Sequence, residues 1–303
     1  MVVLKTLKNN LNKIIIAQEE LIDSLIATSL VDGHLLVEGL PGVAKTTAIK
    51  YLANMLNFKF NRIQFTPDLL PSDIIGGEIY SINENKFKLK KGAIFSDFIL
   101  ADEINRAPAK VQSALLEAME EKQVTIADKT YDLGYPFLVM ATLNPIEQEG
   151  VFPLPEAQLD RFLMKVIVNY PSNIKDEMEI LDVYNTDTKL EKIDSKMFEI
   201  AKENTKKVRV DTKIKEYIAK LILETRQNEH IQIGASPRAT IALYKLSQAS
   251  AIMEKRDYVM PSDVIRFFKN ILRHRLILDF HTQSQGISVD KICDSIISKV
   301  KKP

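Results

Sequence analysis

Two short stretches of this chain carry residue types that could handle a phosphoryl group. Gly39-Leu-Pro41-Gly42-Val43-Ala44-Lys45-Thr46-Thr47 places two glycines and a proline ahead of a lysine and two hydroxyls. A phosphate-binding loop needs backbone N–H groups wrapped at a helix N-terminus, a lysine that reaches the β- and γ-phosphates, and a hydroxyl that holds Mg²⁺. Lys45 and Thr46 fit the last two roles. The strict pattern asks for glycine at Ala44; alanine keeps the N–H, and a right-handed backbone at the helix start would tolerate its methyl group. Asp102-Glu103 closes the apolar run Phe98 to Ala101. An acid at a strand's C-terminal end can hold Mg²⁺ through water, and its neighbour can polarise an attacking water. The pair standing alone would read as a helix cap.

Three further residues suit the same chemistry. Asn144 follows Phe137 to Thr142 in Ala-Thr-Leu-Asn-Pro. Its amide could orient a water or touch the γ-phosphate, and by itself it would read as a turn former before Pro145. Arg161 in Leu-Asp-Arg-Phe and Arg238 in Ser-Pro-Arg-Ala lie far apart in the sequence. An arginine can stabilise the charge of phosphoryl transfer in cis or from a neighbouring subunit, and singly each reads as a salt-bridge partner. His34, His230, His274 and His281 show no catalytic or metal-ligand spacing and read as structural.

The elements that must position these residues follow from periodicity. Apolar positions at helical spacing over 3–31 predict one or two helices. His34 to Glu38, Phe58 to Phe65, Phe98 to Ala101, Phe137 to Thr142 and Phe162 to Val168 predict five strands, with helices over Lys45 to Leu56 and Ala109 to Glu121. One hairpin is expected from Gly77 to Lys91, turning at Asn83-Glu84-Asn85, and another from Val124 to Leu133. This alternation predicts an α/β core over 1–172, a mostly parallel sheet with helices on both faces. From Asn173 the pattern is helical, with a cap at Ser262-Asp263 before one helix from Val264 to Leu278, so 173–303 reads as an all-α domain. Strand ends in such sheets converge on one crevice, which would bring Lys45 and Asp102-Glu103 to the same ligand.

Composition agrees with two domains. The chain has 303 residues, 46% hydrophobic and 27% charged, which excludes disordered, collagen-like and disulfide-stapled chains. Of its 10 glycines, eight fall within the first 150 residues, so the halves are built differently. The net charge of +1 gives no global case for nucleic acid or an anionic membrane. Lys86, Lys88, Lys90 and Lys91 form the densest basic run and read as a solvated hairpin face. No apolar stretch approaches the length of a membrane span, Met1 to Asn12 lacks the features of a secretory signal, and the single Cys293 belongs to no Cys/His cluster. A cytosolic protein is expected.

Taken together, the motifs resemble the AAA+ ATPases, and among them the MoxR family, over nearly the whole chain. The resemblance rests on Gly39 to Thr46 with its Ala44, on the run Leu100 to Glu121, on Ala141-Thr-Leu-Asn-Pro-Ile-Glu, and on Leu154-Pro-Glu-Ala-Gln-Leu-Asp-Arg-Phe. It implies a P-loop ATPase core with a helical lid, assembled into a ring, usually a hexamer, with ATP and Mg²⁺ as ligands. Lys45 and Thr46 would bind nucleotide and Mg²⁺, Asp102 would support the metal, and Glu103 would be the general base. Asn144 would be the sensor 1 residue, Arg161 the arginine finger, and Arg238 the sensor 2 residue, in cis or in trans. Gln18, in Ile16-Ala-Gln18, resembles the segment bordering the adenine. The hairpins match the helix 2 insert and pre-sensor 1 hairpin of this clade. Family members resemble chaperones that remodel or activate protein partners, often ones with a von Willebrand factor A domain, sometimes assisting metal insertion. A magnesium chelatase-like subunit and a nucleic-acid-stimulated motor are the competing readings. The wording of the Asp102 segment disfavours the first, and the balanced charge disfavours the second.

Overall fold

A computed structural model describes residues 2–81, 85–145, 150–184 and 191–303. Two helices, α1 (Val2–Asn12) and α2 (Glu19–Leu30), lead into β1 (Leu35–Gly39), α3 (Lys45–Met55) and β2 (Phe60–Gln64). After α4 (Pro71–Ile75) comes the hairpin of β3 (Gly76–Ser81) and β4 (Lys86–Lys91). Ile82 of its expected first strand and Asn83 and Glu84 of its expected turn lie outside the described residues, as do Ile146 and Glu147 of the Asn144 segment. Then follow β5 (Phe98–Asp102), α5 (Ala109–Glu121), the hairpin β6 (Gln123–Ile126) and β7 (Lys129–Asp132), β8 (Leu138–Leu143), α6 (Glu156–Leu159) and β9 (Met164–Val168).

Five strands form one parallel sheet in the order β2-β5-β8-β1-β9. The three inner strands are covered on both faces, and this explains their unbroken apolar runs: Leu35 to Val37, Phe98 to Ala101 and Leu138 to Ala141 are all buried. The edge strands β2 and β9 mix buried and exposed positions. Because side chains alternate along a strand, the sheet feeds two separate cores. Leu35, Val37, Leu100 and Met140 join α1, α2 and α3 on one face. Leu36, Ile99, Ala101 and Val139 join α5 and the β6–β7 hairpin on the other.

The first core continues without a break into most of the C-terminal helices. These are α7 (Ile174–Tyr184), α8 (Ser195–Lys207), α9 (Thr212–Gln227), α10 (Pro237–Met253), α11 (Pro261–Arg266), α12 (Phe268–Leu272), α13 (Phe280–Ser284) and α14 (Val289–Lys299). The helical region also holds a small antiparallel ladder, β10 (Ile231–Ile233) with β11 (Ile277–Leu278), which the sequence pattern did not suggest. The single helix expected from Val264 to Leu278 is instead split at Phe267, and its last two residues are β11. Asp263 stands inside α11 as its third residue, where its carboxylate accepts from the Met260 N–H and from Arg256.

Arg275 ties the helical region to the core. It donates to Asp160 Oδ1 at 2.7 Å and to the carbonyls of Phe162 and Leu163. Lys202 does the same from α8: its buried ammonium lies 2.6 Å from Asp32 and 4.0 Å from the Tyr135 ring centroid. No helix among the described residues is long and apolar enough to cross a membrane.

Candidate active site

Parallel pairing puts the C-terminal ends of β1, β2, β5 and β8 on one edge of the sheet, and the phosphate-loop motif leaves from that edge. Gly39 ends β1, where a Cβ would sit 2.4 Å from the Val168 carbonyl oxygen, so only glycine lets β9 pair this closely. Gly42 has φ +83°, a conformation that side chains rarely adopt. Pro41 and Gly42 are exposed, Val43 is buried, and Ala44 to Thr47 are half-buried as the chain turns into α3. The first N–H groups of that helix have no intrahelical acceptor, which leaves them to an anion.

Ala44 corrects the sequence-based expectation. Its backbone is left-handed, φ 58° and ψ 20°, and not right-handed as expected at a helix start. An L-residue there carries a steric cost of about 1–2 kcal/mol, which explains why a strict phosphate loop asks for glycine. The strained residue sits in the tight turn between Gly42 and Lys45.

Lys45 Nζ donates to the Gly39 carbonyl at 2.5 Å and thus folds over its own loop. Burial pushes its pKa below the ordinary 10.5, and the facing Asp102 and Glu103 carboxylates oppose that shift. The structure therefore brings together the lysine and the two acids that the sequence had placed some sixty residues apart.

Asp102 and Glu103 are held by neighbours that the motifs did not reveal. The Thr142 hydroxyl donates to Asp102 Oδ1 at 2.6 Å and accepts from the Glu103 N–H at 2.8 Å. Arg62 on β2 grips Asp102 Oδ2 with two nitrogens, at 3.0 and 2.6 Å. Gln64, paired in register with Asp102, donates to Glu103 Oε2 at 2.8 Å, and Arg106 donates to the same oxygen at 3.0 Å. Glu103 itself is left-handed, φ 56° and ψ 51°. A non-glycine residue kept in that strained region by so many partners is characteristic of functional sites. Asn144 lies half-buried just past β8, two residues after Thr142.

Arg161 and Arg238 lie elsewhere, in a cavity of about 310 Å³ between the core and the helical region. Among the described residues their partners are Glu120, the Leu116 carbonyl and Asp160, not the Lys45 loop. Gln18 precedes α2 and donates to the Asn169 carbonyl at 2.8 Å, beside Tyr170 and Pro171. His34 and His274 are buried with a ring nitrogen against the Met119 and Phe162 carbonyls, consistent with their structural reading.

Comparison with known proteins decides the family. The profile described as "ATPase family associated with various cellular activities (AAA)" matches residues 34–164, and that of the AAA lid domain matches residues 223–296. The chain is 42% identical to Chaperone MoxR1 of Mycobacterium tuberculosis, covering 96% of this chain and 80% of that one. The chain belongs to the MoxR family of AAA+ ATPases. It is also 42% identical to the uncharacterised YeaC of Bacillus subtilis, covering 97% and 93%. A crystal structure of a Cytophaga hutchinsonii protein, 42% identical, superposes with a TM-score of 0.90 over 99% of this chain and 94% of that one. These matches agree with the expected MoxR-type α/β core and helical lid.

Proposed function

We propose that this MoxR-family chain hydrolyses Mg·ATP and spends the cycle on remodelling or activating protein partners. The observation that carries this reading is the Lys45 ammonium facing the Asp102 and Glu103 carboxylates at the edge where a glycine loop enters α3. In this reading residues 1–172 form the nucleotide-binding core and 173–303 the lid. The N–H groups of Gly42 to Thr46 and the Lys45 ammonium bind the β- and γ-phosphates, and Gln18 borders the base.

The oxygen donors suit Mg²⁺. Thr46 offers a hydroxyl, and Asp102 already has one oxygen on Thr142 and the other on Arg62, which favours contact through water. When bound, Mg²⁺ neutralises charge on the phosphate oxygens. Glu103 takes the proton of the attacking water. Among the described residues the bonds from Gln64 and Arg106 fall on Oε2, and in this reading Oε1 takes that proton. Asn144 orients the water or touches the γ-phosphate.

Arg161 and Arg238 bond away from the Lys45 loop of their own chain, which supports a role at the site of a neighbouring subunit in a ring, a hexamer by family resemblance. A relative's description as a chaperone supports the remodelling role. Clients with a von Willebrand factor A domain, metal insertion as the process and the cytoplasm as the compartment belong to the same proposal. The test is phosphate release by mixed subunits. Lys45→Ala and Arg161→Ala proteins, each inactive alone, should regain partial activity on mixing. An Arg161→Ala protein with full activity would remove the intersubunit role.

A further inference from the structure

Glu120, the penultimate residue of α5, holds two arginines from different parts of the chain with one carboxylate. Its Oε2 lies 3.1 Å from Nε of Arg161, between α6 and β9. Its Oε1 accepts from Arg238, the second residue of α10. Arg161 is steadied by a further bond of 2.8 Å to the Leu116 carbonyl, and Arg238 has Asp160 at 3.8 Å. Asp160 is itself engaged by Arg275 at 2.7 Å, so Glu120 is the carboxylate that joins the core arginine to the lid arginine. Lys122 and Lys245 line the same cavity, whose side chains are more basic than acidic.

The three side chains of this junction are open to water, at 30% for Arg161, 48% for Arg238 and 36% for Glu120. Ion pairs so exposed are weak and exchange readily. A guanidinium reads a carboxylate and a phosphoryl group by the same feature, two oxygens spaced to meet its planar fork. We propose that Glu120 is a built-in competitor for phosphoryl oxygens: it gathers Arg161 and Arg238 in the free chain and must release them before they can engage a phosphate. This rests on the reading that both arginines serve phosphoryl transfer, and it adds the residue that governs their availability. Glu120 is thus a positioning residue that sets how tightly the paired arginines take an anion.

The test is titration calorimetry with pyrophosphate on full-length chains carrying Lys45→Ala, which weakens binding at the chain's own loop. Adding Glu120→Gln should tighten pyrophosphate binding about fivefold, within the range expected for freeing an exposed ion pair. Adding Arg238→Ala to that protein should remove the gain. A Glu120→Gln chain that binds no more tightly, or a gain that survives Arg238→Ala, would overturn the proposal. Thermal melting reports whether each variant folds. If Glu120→Gln does not, Glu120→Asp, whose shorter carboxylate reaches at most one arginine, should show a smaller gain, and none would count against the idea. The titration involves no turnover, so its outcome is separable from failure of the ATPase reading.

Discussion

Gln64, at the end of β2, donates a 2.8 Å hydrogen bond to Oε2 of Glu103, the residue that follows the adjacent strand β5. With Arg106 on the same oxygen, the amide fixes where the carboxylate points. Gln64→Ala should therefore lower kcat for ATP about tenfold or more and leave KM nearly unchanged, since misplacing a reacting group costs rate more than binding. Steady-state phosphate release measures both constants. An unchanged kcat would remove the positioning role.

The left-handed Ala44 predicts a stabilising substitution. Ala44→Gly removes steric cost in the folded loop and adds backbone freedom to the unfolded chain, with a net gain of about 0.5–1 kcal/mol. Urea unfolding of the two proteins side by side gives the sign directly. A loss of stability would mean that the turn is not left-handed in solution.

The buried His34 predicts an acid-sensitive fold. Burial holds its pKa at about 4 against an ordinary 6.5, and His274 is also lowered well below 6.5 by burial. Between about 4 and 6.5 the unfolded chain takes up protons that the folded chain refuses, so stability falls as pH falls through that window. The slope is about 1.4 kcal/mol per pH unit for each such histidine. His34→Gln keeps an acceptor for the Val139 N–H and a donor for the Met119 carbonyl, and should flatten the pH dependence of Tm.

Lys202 predicts how firmly α8 is pinned to the core. Lys202→Met removes the cation that meets Asp32 and the Tyr135 ring, and leaves Asp32 without its ion-pair partner. Asp32 keeps some contact with water, so the expected cost is about 2 kcal/mol, below that of breaking a fully buried pair. Chemical unfolding checks it, and a change within 0.5 kcal/mol of zero, the scale of a surface substitution, would show that the pin is not needed.

The sequence was most legible where a single local pattern carried the information. The inner strands announce themselves because burial on both faces demands continuous apolar runs, as in Phe98 to Ala101. Lys45, Asp102 and Glu103 stood out because strand ends in such a sheet must meet. The break at Phe267 was hidden because helical spacing of apolar residues continues through it, from Val264 to Ile271. The β10–β11 ladder spans three residues against two, too short for any period to register. Ala44 misled because its residue type favours a right-handed backbone, whereas the turn after Gly42 holds it left-handed. Gln64 and Glu120 escaped notice because their partners come from distant segments: Gln64 is one polar residue on an edge strand, and Glu120 is one of three acids on α5. Only the position of Gln64 at the end of β2 could have flagged it.

Glu103 is proposed to activate water at a site that binds ATP independently of it. ATP turnover by Glu103→Gln, with ATP binding measured on the same protein, tests that claim most directly. The rate should fall by about a hundredfold or more, with ATP still bound at close to the original affinity. Turnover at the unsubstituted rate would contradict it.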